Sequence, residues 1–251
     1  MPLTTDTPYK RDVFTIKQYG KHIQKITYCA FLRESGWEDT REHTPKGTKN
    51  DEKLANNLSR AKARVKELAL CNPWDYWCTF TLDEKIKNRF DVDNFHKDFS
   101  EFLHNYNRRC EEKDKVRYLL IPEQHKDNAW HMHGFIKGIR EKDLFINDNG
   151  YLSWRQYNKK FGFITFSKMR SQEKCSSYAL KYMTKNPDKN ITELGAHLYY
   201  ASKGLKTAVE LYRGNGLFKG QWDYEHPDGY CKIKTIDTRV NNVEEFLDYD
   251  L

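Results

Sequence analysis

The sequence predicts an α+β fold, an antiparallel sheet with helices on one face and an extension at each end. Three observations lead there. Short runs rich in aromatic and β-branched residues, such as Tyr76-Trp77-Cys78-Thr79-Phe80-Thr81-Leu82, read as strands. Val92, Phe95, Phe99, Phe102, Leu103 and Tyr106 recur at helical spacing and make one apolar stripe. The order of elements (strand, helix, strand, strand, helical piece, strand, helix) is close to the split β-α-β arrangement of a ferredoxin-like or RRM-like sheet.

Taken in order, residues 11–31 read as two short strands around Tyr19-Gly20, and residues 37–50, polar and rich in turn formers, as a loop. Leu54, Leu58, Ala61, Val65 and Leu68 then mark a helix. Residues 1–74 are thus expected to be an N-terminal extension packed on a core of residues 75–190. In that core Asp91 suits an N-cap, with Phe90 placed to staple against Phe95. Two strands follow, Val116 to Glu123 and Trp130 to Lys137, joined by the polar turn Gln124-His125-Lys126-Asp127-Asn128. Trp154 to Lys160 reads as a short helix and Gly162 to Phe166 as a strand. Ser171 to Lys185 reads as a helix, stopped before Pro187. Residues 191–251 form the expected C-terminal extension. Its acidic tail, with Glu244, Glu245, Asp248 and Asp250, is expected to be solvated or to cover a basic groove.

The formal net charge of +7 is unevenly spread. From Tyr151 to Gly220, thirteen Lys and Arg stand against four Asp and Glu. A local basic field of this kind suits a polyanion, although it also serves solubility. The mean hydropathy is −0.93, and no apolar run is long enough to span a membrane. Without a secretory leader, a cytoplasmic location is expected. The six cysteines form no C-x-x-C pair and are expected to be reduced.

Chemistry concentrates in two places. In Trp130-His131-Met132-His133-Gly134 the histidines are two apart on a strand, so they share a face and their imidazoles can converge on one divalent cation. Glu123, at the end of the neighbouring strand, can add a carboxylate, and His125 in the turn competes as a further ligand. Two histidines and a carboxylate leave positions open for a substrate oxygen. An arbitrary H-x-H is more often a half-exposed stretch of sheet. The second place is Tyr178-Ala179-Leu180-Lys181-Tyr182-Met183-Thr184-Lys185. Tyr178 and Tyr182 share a helix face, and each is followed three residues later by a lysine, Lys181 or Lys185. A nearby ammonium favours phenolate and can neutralise phosphate charge. Alone, such tyrosines would pack on the sheet.

Together, in this order, the two blocks resemble the HUH endonucleases, and within them the two-tyrosine rolling-circle replication initiators of phages and plasmids, the small coliphage initiators in particular. Phe80-Thr81-Leu82 resembles the first strand motif of that family. Glu123 with His131-Met132-His133 resembles its metal motif, and Tyr178 to Tyr182 its tyrosine motif. The resemblance implies a nickase and strand transferase of a bacterial host's cytoplasm. Glu123, His131 and His133 would hold Mg²⁺ or Mn²⁺. A tyrosine would attack the scissile phosphate, leaving a free 3′-hydroxyl and a 5′-phosphotyrosine. The partners it implies are a single-stranded DNA origin, which can be presented as a hairpin, and a host or separate helicase, since no P-loop is present. Candidates for strand binding are Trp154, Arg155, Tyr157, Lys159, Lys160, Lys168 and Arg170, with Lys203 in Tyr199 to Lys206. Core packing is an equal reading for Trp154 and Tyr199.

Other readings stay open at this point. A relaxase or single-strand transposase would use the same chemistry, but relaxases usually add a third histidine to the metal motif, the related transposases are generally smaller with one tyrosine, and this sequence shows neither pattern. A non-haem iron oxygenase uses the same ligand types but leaves the tyrosines without a role. A noncatalytic single-strand binding module would need neither histidine nor a metal.

Overall fold

A computed structural model describes residues 9–33, 51–184 and 197–249. The expected loop at 37–50, Lys185, Pro187 and Asp250 lie outside these residues, as does the side chain of Leu54. In chain order the elements are β1 (Tyr9–Tyr19), β2 (Ile23–Arg33), α1 (Asp51–Cys71), β3 (Tyr76–Leu82), α2 (Val92–Asn107), β4 (Arg117–Gln124) and β5 (Trp130–Lys137). Then come β6 (Leu144–Ile146), β7 (Leu152–Trp154), α3 (Arg155–Lys160), β8 (Gly162–Lys168), α4 (Gln172–Thr184) and β9 (Tyr200–Ala201). The chain finishes with β10 (Val209–Gly214), β11 (Leu217–Phe218), β12 (Tyr224–Glu225), β13 (Cys231–Asp237) and β14 (Leu247–Asp248). The class is α+β, as expected. Among the described residues no helix is long and apolar enough to cross a membrane.

The chain divides into two compact units, residues 47–206 and residues 1–46 with 207–251. Helix α1, expected with the N-terminal extension, belongs to the larger unit. The two terminal stretches belong with each other.

The larger unit is built on a seven-stranded sheet of order β6-β7-β8-β3-β5-β4-β9. One face packs Phe80, Leu120, Met132 and Ile164 against Phe95, Phe99 and Leu103 of α2 and Tyr157 of α3. The other packs Leu119, Ile121 and Phe135 against Val65, Leu68 and Ala69 of α1 and Ala179 and Met183 of α4. Helices therefore lie on both faces, α2 and α3 on one and α1 and α4 on the other, where a single covered face was expected. This double cover explains why Tyr118 to Glu123 is buried without interruption, where a strand covered on one side alternates. Asp91 caps α2, its Oδ1 accepting from the Asn94 amide at 2.9 Å. Phe90 is 57% exposed, so it does not act as the expected staple.

Gly134 follows the second histidine on β5 where that strand meets β4. A Cβ there would lie 2.0 Å from the Leu119 carbonyl oxygen, against backbone that cannot swing away. Gly134→Ala should therefore destabilise the larger unit by about 3 kcal/mol, at the upper end for overpacking. Urea unfolding checks this, and an unchanged midpoint would refute the close strand approach.

The smaller unit holds a five-stranded sheet of order β10-β1-β2-β13-β12, with Phe14, Ile16, Ile26 and Ile236 in its core. The described part of the C-terminal stretch joins that core rather than fraying. Val243 and Leu247 are buried, β14 pairs with β11, and Asn242 and Glu245 form a capping box. Asp248 pairs with Lys219 of the same unit. Its acidic residues punctuate a packed element, and its apolar residues at 243, 246 and 247 were the overlooked signal.

Candidate metal and nucleophile site

The register of β3, β4 and β5 brings the polar residues of the larger unit together. Glu123 on β4 stands opposite His131 on β5, and Ile121 opposite His133. On the other side of β5, Thr81 of β3 stands opposite His131 and Thr79 opposite His133. Opposed residues share a face, so Glu123, both histidines and both threonines point the same way, while Met132 enters the opposite core.

Each histidine is oriented by its threonine. Thr79 Oγ1 lies 3.2 Å from His133 Nδ1, and Thr81 Oγ1 lies 3.1 Å from His131 Nδ1. With Nδ1 engaged, Nε2 is the nitrogen left to bind a metal, which is how outer-shell partners choose a ligand's tautomer. His133 Nε2 lies 2.7 Å from Glu123 Oε2, and both residues are buried, at 7% and 3% exposure. Despite that short approach the nitrogen has no hydrogen-bond partner of acceptable direction. Two donor atoms gathered around a common point, rather than aimed at each other, make such a contact. The residues fit a divalent cation on that observation.

His125 joins them from the turn. Its Nε2 lies 3.7 Å from Glu123 Oε2, and ligand atoms of Glu123, His125 and His133 all fall within 4.8 Å of one another. His131 is outside that tightest group. Its ring stacks on His125, centroids 3.7 Å apart and planes 7° from parallel. His125, expected only as a ligand competing with Glu123, thus stands beside it, because the turn folds back over the strand. Arg89 holds that turn: its Nη2 donates to Asp127 Oδ2 at 2.8 Å, and its carbonyl accepts from the Trp130 amide. Thr79, Thr81 and Arg89 escaped sequence reasoning, although the i, i+2 threonines on a recognised strand were a readable signal.

Burial is the main force that pushes His131 and His133 down to about 4, from an ordinary value of 6.5. His125 adds to the shift at His131, and Glu123 opposes it at both. Both imidazoles are therefore neutral at pH 7 and able to ligate. Because the folded value is the lower one, the unfolded chain takes up protons first as pH falls from 6.5 towards 4, so acid favours unfolding. In metal-free protein the urea midpoint should drop between pH 7 and pH 5. A flat profile, or one unaltered in His133→Asn, would count against buried neutral imidazoles.

The tyrosines of α4 reach the same place. The ring of Tyr182 stacks on His133 with centroids 4.2 Å apart, and the Tyr178 and Tyr182 hydroxyls are 2.7 Å from each other. Trp77 contacts both rings from the sheet. Tyr178 is 44% exposed, and Tyr182 is half-buried. Residues 75–187 match the family described as Replication-associated protein ORF2/G2P. The match runs from β3 through α4, less than half of the chain, and includes the histidine–carboxylate cluster and both tyrosines. No curated protein and no solved structure matches the chain.

With the replication-associated match in view, the electrostatics of the tyrosines differ from expectation. The Tyr182 phenol is raised, not lowered: burial comes first, then the Tyr178 hydroxyl and the Glu123 carboxylate. Lys181 Nζ lies over the Tyr178 ring, 5.6 Å from its centroid. Of the expected strand-binding residues, Arg155, Lys168, Arg170 and Lys203 are exposed. Trp154 and Tyr157 are fully buried in the core, so neither ring can stack on a base. Arg155 lies over the Phe145 ring, and the Lys203 carbonyl accepts from Arg117.

Proposed function

We propose that the chain is a replication initiator that nicks single-stranded DNA at an origin by tyrosine transesterification and later rejoins strands. One observation carries this reading: a pair of tyrosine hydroxyls in contact, one ring stacked on a histidine of a buried carboxylate–histidine cluster. The family match supports a role in initiating replication.

Glu123, His131 and His133 would hold Mg²⁺ or Mn²⁺, with His125 as a further donor. When bound, the ion supplies positive charge to the scissile phosphate and to the charge that develops on it. The chain's own residues do the rest. The attacking tyrosine oxygen bonds to phosphorus as the bond to the 3′-oxygen breaks. The phenol gives up a proton and the leaving 3′-oxygen takes one, so the step yields a 5′-phosphotyrosine and a free 3′-hydroxyl. The phosphotyrosine conserves the bond energy, and reversal by a 3′-hydroxyl reseals the strand. Lys181 places a cation beside the pair, where phosphate charge accumulates. Unwinding would fall to a host or separate helicase.

A relaxase of the same chemistry is the second reading: its sequence pattern is missing, but His125 lies close enough to Glu123 and His133 to serve as a third histidine. Tiled single-stranded oligonucleotides from the DNA surrounding the coding sequence, incubated with Mn²⁺, test both. A covalent adduct on a denaturing gel is expected with at least one of them. Binding without any adduct would leave only the noncatalytic module.

A further inference from the structure

We infer that Phe163 is a stacking platform for a base of the strand beside the scissile phosphate, an inference that rests on the nuclease reading above. On β8, Gly162, Ile164 and Phe166 are buried, whereas Phe163 is 60% exposed. Register puts its ring on the site's face. Phe163 stands opposite Thr81, Thr81 opposite His131, and His131 opposite Glu123, one row across four strands. With about 4.8 Å between neighbouring strands, Phe163 lies about 10 Å along the sheet from His131. That is a reach of about one or two nucleotides from a phosphate held at the cluster.

The rest of this face explains why the ring is free. α1 and α4 cover Leu119, Phe135 and Trp77, in the row beyond the histidines, and Phe163 has no part in that cluster. The half of the face that carries Glu123, His131 and Thr81 continues outward to Phe163 instead. An exposed phenylalanine elsewhere would need no explanation. Here it is the aromatic end of a polar row that runs through Thr81 and His131 to Glu123 of the candidate metal site. Its backbone is also fixed. Gly162 has φ +138, and a Cβ there would lie 2.3 Å from the Asp83 amide nitrogen, so the start of β8 is pressed against the end of β3. A rigid, solvent-facing ring beside a phosphate site suits any base, because every base has a π-face.

The test is the affinity of full-length protein for a fluorescein-labelled oligothymidylate in EDTA, read by anisotropy at low and high salt. Phe163→Ala should weaken binding about tenfold, by the same factor at both salt concentrations, and Phe163→Tyr should restore it. Lys168→Ala, at the end of the same strand, should instead weaken binding mainly at low salt. All three variants should melt as the parent does. An unchanged affinity in Phe163→Ala, or a loss that Phe163→Tyr fails to rescue, would overturn the inference. The adduct assay stands apart: adduct formation with no effect of Phe163→Ala sinks the platform alone, whereas absence of adduct sinks the nuclease reading.

Discussion

Replacing both tyrosines, Tyr178→Phe with Tyr182→Phe, should reduce adduct formation by at least about a thousandfold, because among the described residues no other tyrosine stands at the cluster. The single variants should separate the roles. Tyr182 stacks on His133 and makes the first attack in our reading, so Tyr182→Phe alone should abolish the initial cut. Tyr178 is the more exposed partner and reaches the cluster through the Tyr182 hydroxyl. Tyr178→Phe should therefore leave the first cut within about tenfold while losing transfer to a labelled acceptor strand. Burial, Tyr178 and Glu123 all hold the Tyr182 proton in place, so chelation should silence the reaction even with both tyrosines present. A wild-type adduct yield from Tyr182→Phe would hand the first cut to Tyr178. Full yield from the double variant would end the tyrosine mechanism.

The second large effect concerns the metal. Titration calorimetry with MnCl₂ should find one site, weakened more than a hundredfold by Glu123→Ala or His133→Ala. That bound follows because loss of an outer-shell partner alone commonly costs about 10–100-fold, and a direct ligand contributes more. Thr79→Val should accordingly fall near tenfold, through a His133 ring no longer held at Nδ1. His125→Ala should cost about tenfold as well, since an exposed turn holds that ring less firmly than a strand would. Wild-type protein should also gain stability as Mn²⁺ is added, by about 2.7 kcal/mol at a hundredfold excess over Kd. Affinity unchanged in Glu123→Ala would place the ion elsewhere.

Much of the larger unit was legible because its strands and helices carry the two simple periods, and because β4, β5 and the turn between them sit next to each other in sequence. Glu123 on the face of the histidines, opposite His131, follows from hairpin pairing alone. What periodicity does not carry is the third dimension. The fold of residues 124–129 back over β5 brings His125 onto His131, and no pattern of apolar residues encodes that. Trp154 and Tyr157 failed as strand contacts for a related reason: basic neighbours made their segment look like surface, but Trp154 ends β7 and Tyr157 lies on the inward side of the six-residue α3, and both rings are buried. The acidic residues near the C-terminus likewise drew attention away from Val243 and Leu247. The lysine effect on the tyrosines was misjudged because one-turn spacing brings Lys181 to the Tyr178 ring and leaves burial to dominate at Tyr182.

The pairing of β2 with β13, Ile23 against Asp237, has a temporal consequence. A chain made from its N-terminus completes every residue of the larger unit before β10 and β13 exist. At roughly 5–20 residues per second, β1 and β2 wait on the order of ten seconds for their partners. Over that interval they are a two-stranded ribbon with open edges, marginal by itself. Synthesis therefore finishes the unit that bears the histidines and tyrosines first. The smaller sheet can close only then, joining two stretches of chain that the whole of the other unit separates.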